Sequence, residues 1–108
     1  MSVEQTDVVD AIGVDDDSGE VVLTISDHLE WSSDEHLLQL QEKLNTYLSF
    51  VESGEILSSY PDAKGRNVLI SVVCKHPPDD RGEGFLNQVS GIVDGAGMRF
   101  RYQVFNAN

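Results

Sequence analysis

Few residues in this chain have both the type and the spacing to do chemistry. Cys74-x-His76 pairs a nucleophile with a base. Two residues apart on a strand, their side chains share a face, so contact is possible. Pro77 follows at once and no third residue is evident to orient the histidine, so the pair reads as a buried thiol beside an ordinary histidine. Asp27, His28, Glu30 and His36 form a second group. Imidazole and carboxylate are the ligands of zinc and the partners of acid–base catalysis. The spacing matches no H-E-x-x-H pattern, and His36 reads as a partly exposed histidine at a helix start. Asp15-x-Asp17-x-Gly19 has the opening of a calcium loop. The rest of that loop is missing, because Glu20 stands where glycine is needed and Ser26 where the bidentate glutamate is needed. Gly82-x-Gly84 precedes a helical stretch but carries neither a dinucleotide fingerprint nor a phosphate-loop lysine. No catalytic residue, no metal and no cofactor is therefore assigned.

The elements that must position these residues are readable from periodicity. Val8, Val9, Ile12 and Val14 form a short apolar stretch. Asp15-Asp16-Asp17-Ser18-Gly19 is a turn, and Glu20 to Ser26 alternates with Leu23 and Ile25 inward. Together they predict a β-hairpin. Ser32 with Glu35 forms a capping box. Beyond it Leu37, Leu40, Leu44, Tyr47, Leu48 and Val51 recur at three and four residues, which predicts an amphipathic helix from Ser33 to about Ser53, stopped by Gly54. Trp31 anchors the connection into this helix. Ile56-Leu57 adds a short strand or packs beneath the helix end, and Tyr60 to Gly65 is a loop. Asn67 to Lys75 is β-branched and reads as a central strand. Asp80 with Glu83 opens a second helix through Asp94, in which Gly82, Gly84 and Gly91 are weak points. Met98 to Phe105 is the last strand, with Met98, Phe100, Tyr102 and Val104 inward and Arg99, Arg101 and Gln103 outward.

The order β-β-α-β-α-β in 108 residues is one α+β domain, residues 1–108. Two helices on one face of a four-stranded, mostly antiparallel sheet make the economical two-layer sandwich. The other face would carry Thr24, Ser26, Ser71, Arg99, Arg101 and Gln103.

Charge is distributed unevenly. The chain has 19 acidic and 7 basic residues, a net charge of -12. Residues 1–54 hold 13 acids and one base, Lys43, whereas residues 55–108 hold 6 of each. Such a balance argues against nucleic acid and anionic membrane as partners. Recurring apolar residues argue against a disordered acidic tail. There is no basic, apolar leader at Met1 and no long apolar run. With Cys74 the only cysteine, a cytoplasmic setting is expected.

The stretches Ile25-Ser26-Asp27-His28-Leu29-Glu30-Trp31 and His36-Leu37-Leu38-Gln39-Leu40-Gln41-Glu42-Lys43-Leu44-Asn45 resemble a family of small bacterial domains of unknown function. The resemblance covers nearly the whole chain and implies a free-standing cytoplasmic domain. That family carries no assigned activity, so no role transfers to any residue. The expectation that follows from the charge is a non-enzymatic interaction module. Asp15, Asp16, Asp17, Glu20, Asp27, Glu30, Trp31, Asp34 and Glu35 would dock a basic protein partner, as an immunity or antitoxin-like inhibitor does. The rival expectations are a structural homo-oligomer, such as a homodimer, pairing through the open sheet face or the last strand, and a small metal-dependent hydrolase using Asp27, His28, Glu30 and His36.

Overall fold

A computed structural model describes residues 5, 6, 9, 11–31 and 33–105. The hairpin forms as expected: β1 (Ala11–Val14) pairs antiparallel with β2 (Val21–Asp27). The turn between them closes through Asp15, whose carboxylate accepts the backbone N–H of Asp17 and the hydroxyl of Ser18, each at 3.1 Å. Gly19 completes the reversal at φ +75°, a region that other residues avoid. Val8 lies outside the described residues.

The first long helix, α1 (Asp34–Glu52), keeps its expected bounds. Its cap is Ser33, whose hydroxyl accepts the N–H of His36 at 3.2 Å; Ser32 of the expected capping box lies outside the described residues. Gly54, at φ +83°, ends that helix and starts α2 (Glu55–Ser59), which buries Ile56. This five-residue helix replaces the strand considered for Ile56-Leu57 and makes three α-helices among the described residues instead of two. A short 3-10 turn over Pro61–Ala63 leads into β3 (Val68–Cys74). Next come α3 (Asp80–Gly95) and β4 (Arg99–Val104). The cap of α3 is Asp79, not Asp80: its carboxylate accepts the N–H of Gly82 at 2.8 Å.

The sheet order is β1-β2-β3-β4, and only the hairpin is antiparallel. Strands β2, β3 and β4 run parallel. This corrects the mostly antiparallel expectation. Helices of 19 and 16 residues span about 28 and 24 Å, enough to return the chain to the starting edge of the sheet and so build two successive parallel crossovers. Both crossovers step the same way along the sheet, so a common hand puts both helices on one face.

That face holds the core. Val21, Leu23 and Ile25 of β2 lie in register with Val68, Ile70 and Val72 of β3, under Leu40, Leu44 and Tyr47 of α1 and Leu86, Val89 and Val93 of α3. Tyr47 donates its hydroxyl to the carbonyl of Thr24 at 2.8 Å. The last strand is covered only at its start: Met98 is buried and Phe100 half-buried, but Tyr102 and Val104, expected inside, are exposed. The other sheet face is less open than expected. Ser71 is buried and accepts the Arg101 guanidinium, and Arg99 pairs with Glu20 at 2.7 Å across two strands.

Among the described residues no helix is long and apolar enough to cross a membrane.

Candidate functional site

The most constrained polar group lies where β2 and β3 end. The alternation of Val21, Leu23 and Ile25 continues for one more step and carries Asp27 onto the core face. A carboxylate buried there needs partners. Its Oδ1 accepts the backbone N–H of Leu29 at 3.1 Å, and its Oδ2 meets His36 Nε2 at 2.6 Å. Both side chains are 1% exposed. Trp31 covers the pair, its ring 4.4 Å from the imidazole and tilted by 51°. The indole N–H reaches across to the carbonyl of His76 at 3.0 Å, tying the β2–α1 connection to the β3–α3 connection. His36 Nδ1 has no partner among the described residues.

Two further residues, Cys74 and Gly82, complete this packing. Cys74 stands opposite Asp27 in the strand register. Burial, and secondarily the Asp27 carboxylate, push its thiol up from 9.0 to about 12. Cys74 is buried, and a thiol so shifted stays protonated at neutral pH, which makes it a poor nucleophile. Gly82, in the first turn of α3, lets that helix approach the indole: a Cβ there would stand 2.6 Å from the Trp31 ring and 3.0 Å from Pro78.

The four residues considered for metal or acid–base work do not converge. His28 and Glu30 are exposed, whereas Asp27 and His36 are sealed beneath Trp31. Among the described residues no group of three or more His, Cys, Asp or Glu side chains is placed to hold a metal ion.

The nine residues expected to form one acidic docking face are divided by the fold. Glu20, Asp27 and Trp31 are buried and engaged in internal contacts, so they leave that face. Asp15, Asp16 and Asp17 sit in the hairpin turn before β2. Glu30, Asp34 and Glu35 follow the far end of the same seven-residue strand, about 20 Å away. There they gain neighbours from α3. Arg81 is paired with Asp34, and Asp79, Asp80 and Glu83 are exposed beside it. Six exposed carboxylates thus gather at the end of the sheet where β2 and β3 finish, with Lys75 and Arg81 the nearby cations. Four of them, Asp34, Glu35, Asp80 and Glu83, lie in the first turns of α1 and α3, where the helix dipole favours negative charge.

Over residues 1–106 the sequence matches a family of unknown function (DUF6572). The chain belongs to this family. No curated protein and no solved structure matches it. In this DUF6572 chain the match takes in the buried Asp27–His36–Trp31 group and both carboxylate clusters.

The signals for the missed burial were present. His36, Leu40, Lys43, Leu44 and Tyr47 repeat at three and four residues, and all five are buried. Residue type alone argues histidine and lysine out of such a stripe. Lys43 is accommodated there because its ammonium donates to the carbonyl of Gln5 at 2.7 Å and stands 5.8 Å from the centre of the Tyr47 ring.

Proposed function

We propose that the chain is a non-enzymatic protein-interaction module whose docking surface is the acidic end of the sheet. Glu30, Asp34 and Glu35, together with Asp80 and Glu83, would receive a basic segment of a partner protein, and inhibition of a basic target in the manner of an immunity protein or antitoxin is one form of this. The observation that carries the proposal is the convergence of carboxylates from two separated stretches, 30–35 and 79–83, held together by the Trp31–His76 bond and the Arg81–Asp34 pair. The sealed state of Asp27, His36 and Cys74 favours binding over chemistry at the same end. A lone cysteine fits the reducing cytoplasm as its setting.

The test is capture from host lysate at low salt with three baits. One is the native chain. The second carries Glu30→Gln, Glu35→Gln, Asp80→Asn and Glu83→Gln. The third carries Asp16→Asn and Asp17→Asn. The expected result is a basic protein retained by the first and third baits and lost with the second, with an association rate that falls steeply with salt. Equal recovery on all three baits overturns the proposal.

A further inference from the structure

The last strand has an edge that nothing among the described residues covers. β4 pairs with β3 on one side only. Five of its six residues are exposed, and Tyr102, Val104 and Phe105 are 37%, 42% and 61% exposed. Natural edges are blunted by proline, a bulge, brevity or charged side chains; the two charges of β4, Arg99 and Arg101, are drawn back over the sheet by Glu20 and Ser71. This one has no proline, keeps an unbroken register with β3, and is longer than the opposite edge, β1, which is four residues long and runs into Asp15-Asp16-Asp17.

Its free backbone groups can be assigned. Phe105 donates its N–H to Cys74 across the β3 side at 2.7 Å. In a parallel ladder alternate residues bond the neighbour. Arg101 and Gln103 therefore turn their peptide groups toward β3 with Phe105, while Phe100, Tyr102 and Val104 turn theirs outward. The outward set belongs to the residues whose side chains lie on the apolar, core-facing side.

We propose that the chain self-associates through β4, pairing antiparallel with β4 of a second copy about a two-fold axis at Tyr102, so that two four-stranded sheets become one. This register bonds Tyr102 to Tyr102 and Phe100 to Val104 of the second copy, through the peptide groups left free. It lays Phe100, Tyr102 and Val104 against their counterparts as an apolar ladder. On the other side Arg101 faces Gln103. A shift of one step toward the N-terminus sets Arg101 directly against its own copy, which like charge opposes. A shift of one step toward the C-terminus shortens the overlap. Net charge also selects this edge. The chain carries -12, yet no acidic residue follows Asp94, so β4 is where two acidic copies approach with least repulsion. A two-fold contact closes on itself and leaves no further edge of this kind.

Sedimentation of the full chain from micromolar to millimolar concentration tests it. A monomer–dimer equilibrium is expected, and it strengthens with salt, the opposite of docking to a basic partner. Gln103→Glu places a carboxylate opposite each Arg101 and tightens the dimer roughly three- to thirtyfold. Tyr102→Lys sets two ammonium groups together on the axis and leaves a monomer with an unchanged circular dichroism spectrum. Should Tyr102→Lys fail to fold, Gln103→Glu alone decides. A wild-type chain that stays monomeric at millimolar concentration, or a dimer that Gln103→Glu leaves unchanged or weakens, overturns the proposal.

Discussion

Asp27 shows how one residue commits a neighbourhood. A buried carboxylate without partners is costly, and removing one member of a buried pair typically costs about 3–5 kcal/mol. The loop after β2 is shaped around that need: Leu29 turns its N–H back, α1 begins so that His36 arrives at 2.6 Å, and Trp31 closes the top. Cys74 bears the other consequence of this charge. Its thiol lies among apolar side chains beside Asp27 and is raised to about 12. In the unfolded chain it ionises near 9.0, so between about pH 9 and pH 12 the unfolded state has lost a proton that the native state keeps. Stability from this group is whole below pH 9 and declines as pH rises toward 12. Urea midpoints measured across this range should fall more steeply for the wild type than for Cys74→Ala. Equal slopes would show that the thiol is not shifted. Nothing at the level of residue type announced the burial of His36 or Asp27. Only their place in the alternation of β2 and the stripe of α1 did, and position outranks polarity when a partner lies within reach.

At the scale of elements the two long helices were legible, while the short α2 and the strand directions were not. The bounds of α1 follow from its stripe, its serine cap and Gly54, all local signals. Whether β2 and β3 run parallel depends on where a helix sets the chain down, which local periodicity does not encode. The end of β4 misled for a related reason: Tyr102 and Val104 alternate as core residues do, but no helix extends over them. The glycines of α3 separate two kinds of local weakness. Gly82 and Gly91 both lie inside the helix. A methyl group on Gly82 would strike the Trp31 ring at 2.6 Å, whereas nothing lies within 4 Å of one on Gly91. Gly82→Ala should therefore destabilise by about 1–3 kcal/mol through overpacking. Gly91→Ala should stabilise by about 0.5–1 kcal/mol through helix propensity alone. Denaturant titration of the two variants side by side checks this. Equal effects of the same sign would mean that α3 does not seat its first turn against the indole.

For the whole molecule the governing quantity is charge. A net -12 is spread over a body of 38 × 30 × 24 Å, with carboxylates concentrated at both ends of the sheet. Two contributions respond to salt with opposite signs. Screening weakens the exposed Arg81–Asp34 pair and the partly exposed Arg99–Glu20 pair, each worth about 0–1 kcal/mol. It also relieves repulsion among the excess acids, which acts over the full span when the Debye length is about 30 Å at 0.01 M and much less when it is about 8 Å at 0.15 M. With many like charges set against these two pairs among the described residues, relief of repulsion outweighs the weakened pairing. The melting temperature should accordingly rise between these two salt concentrations, by about 4–8 °C if the net gain is about 1 kcal/mol. Asp16→Asn with Asp17→Asn, which spares the Asp15 carboxylate that closes the turn, should raise the melting temperature at low salt and flatten the salt response. Dilute protein keeps β4 association out of the measurement, and sodium chloride against sodium sulfate at matched ionic strength separates screening from ion-specific effects. A melting temperature that falls with sodium chloride would mean that the few ion pairs outweigh the excess charge. The acidic ends would then be structurally compensated, and they would lose the electrostatic reach on which docking a basic partner depends.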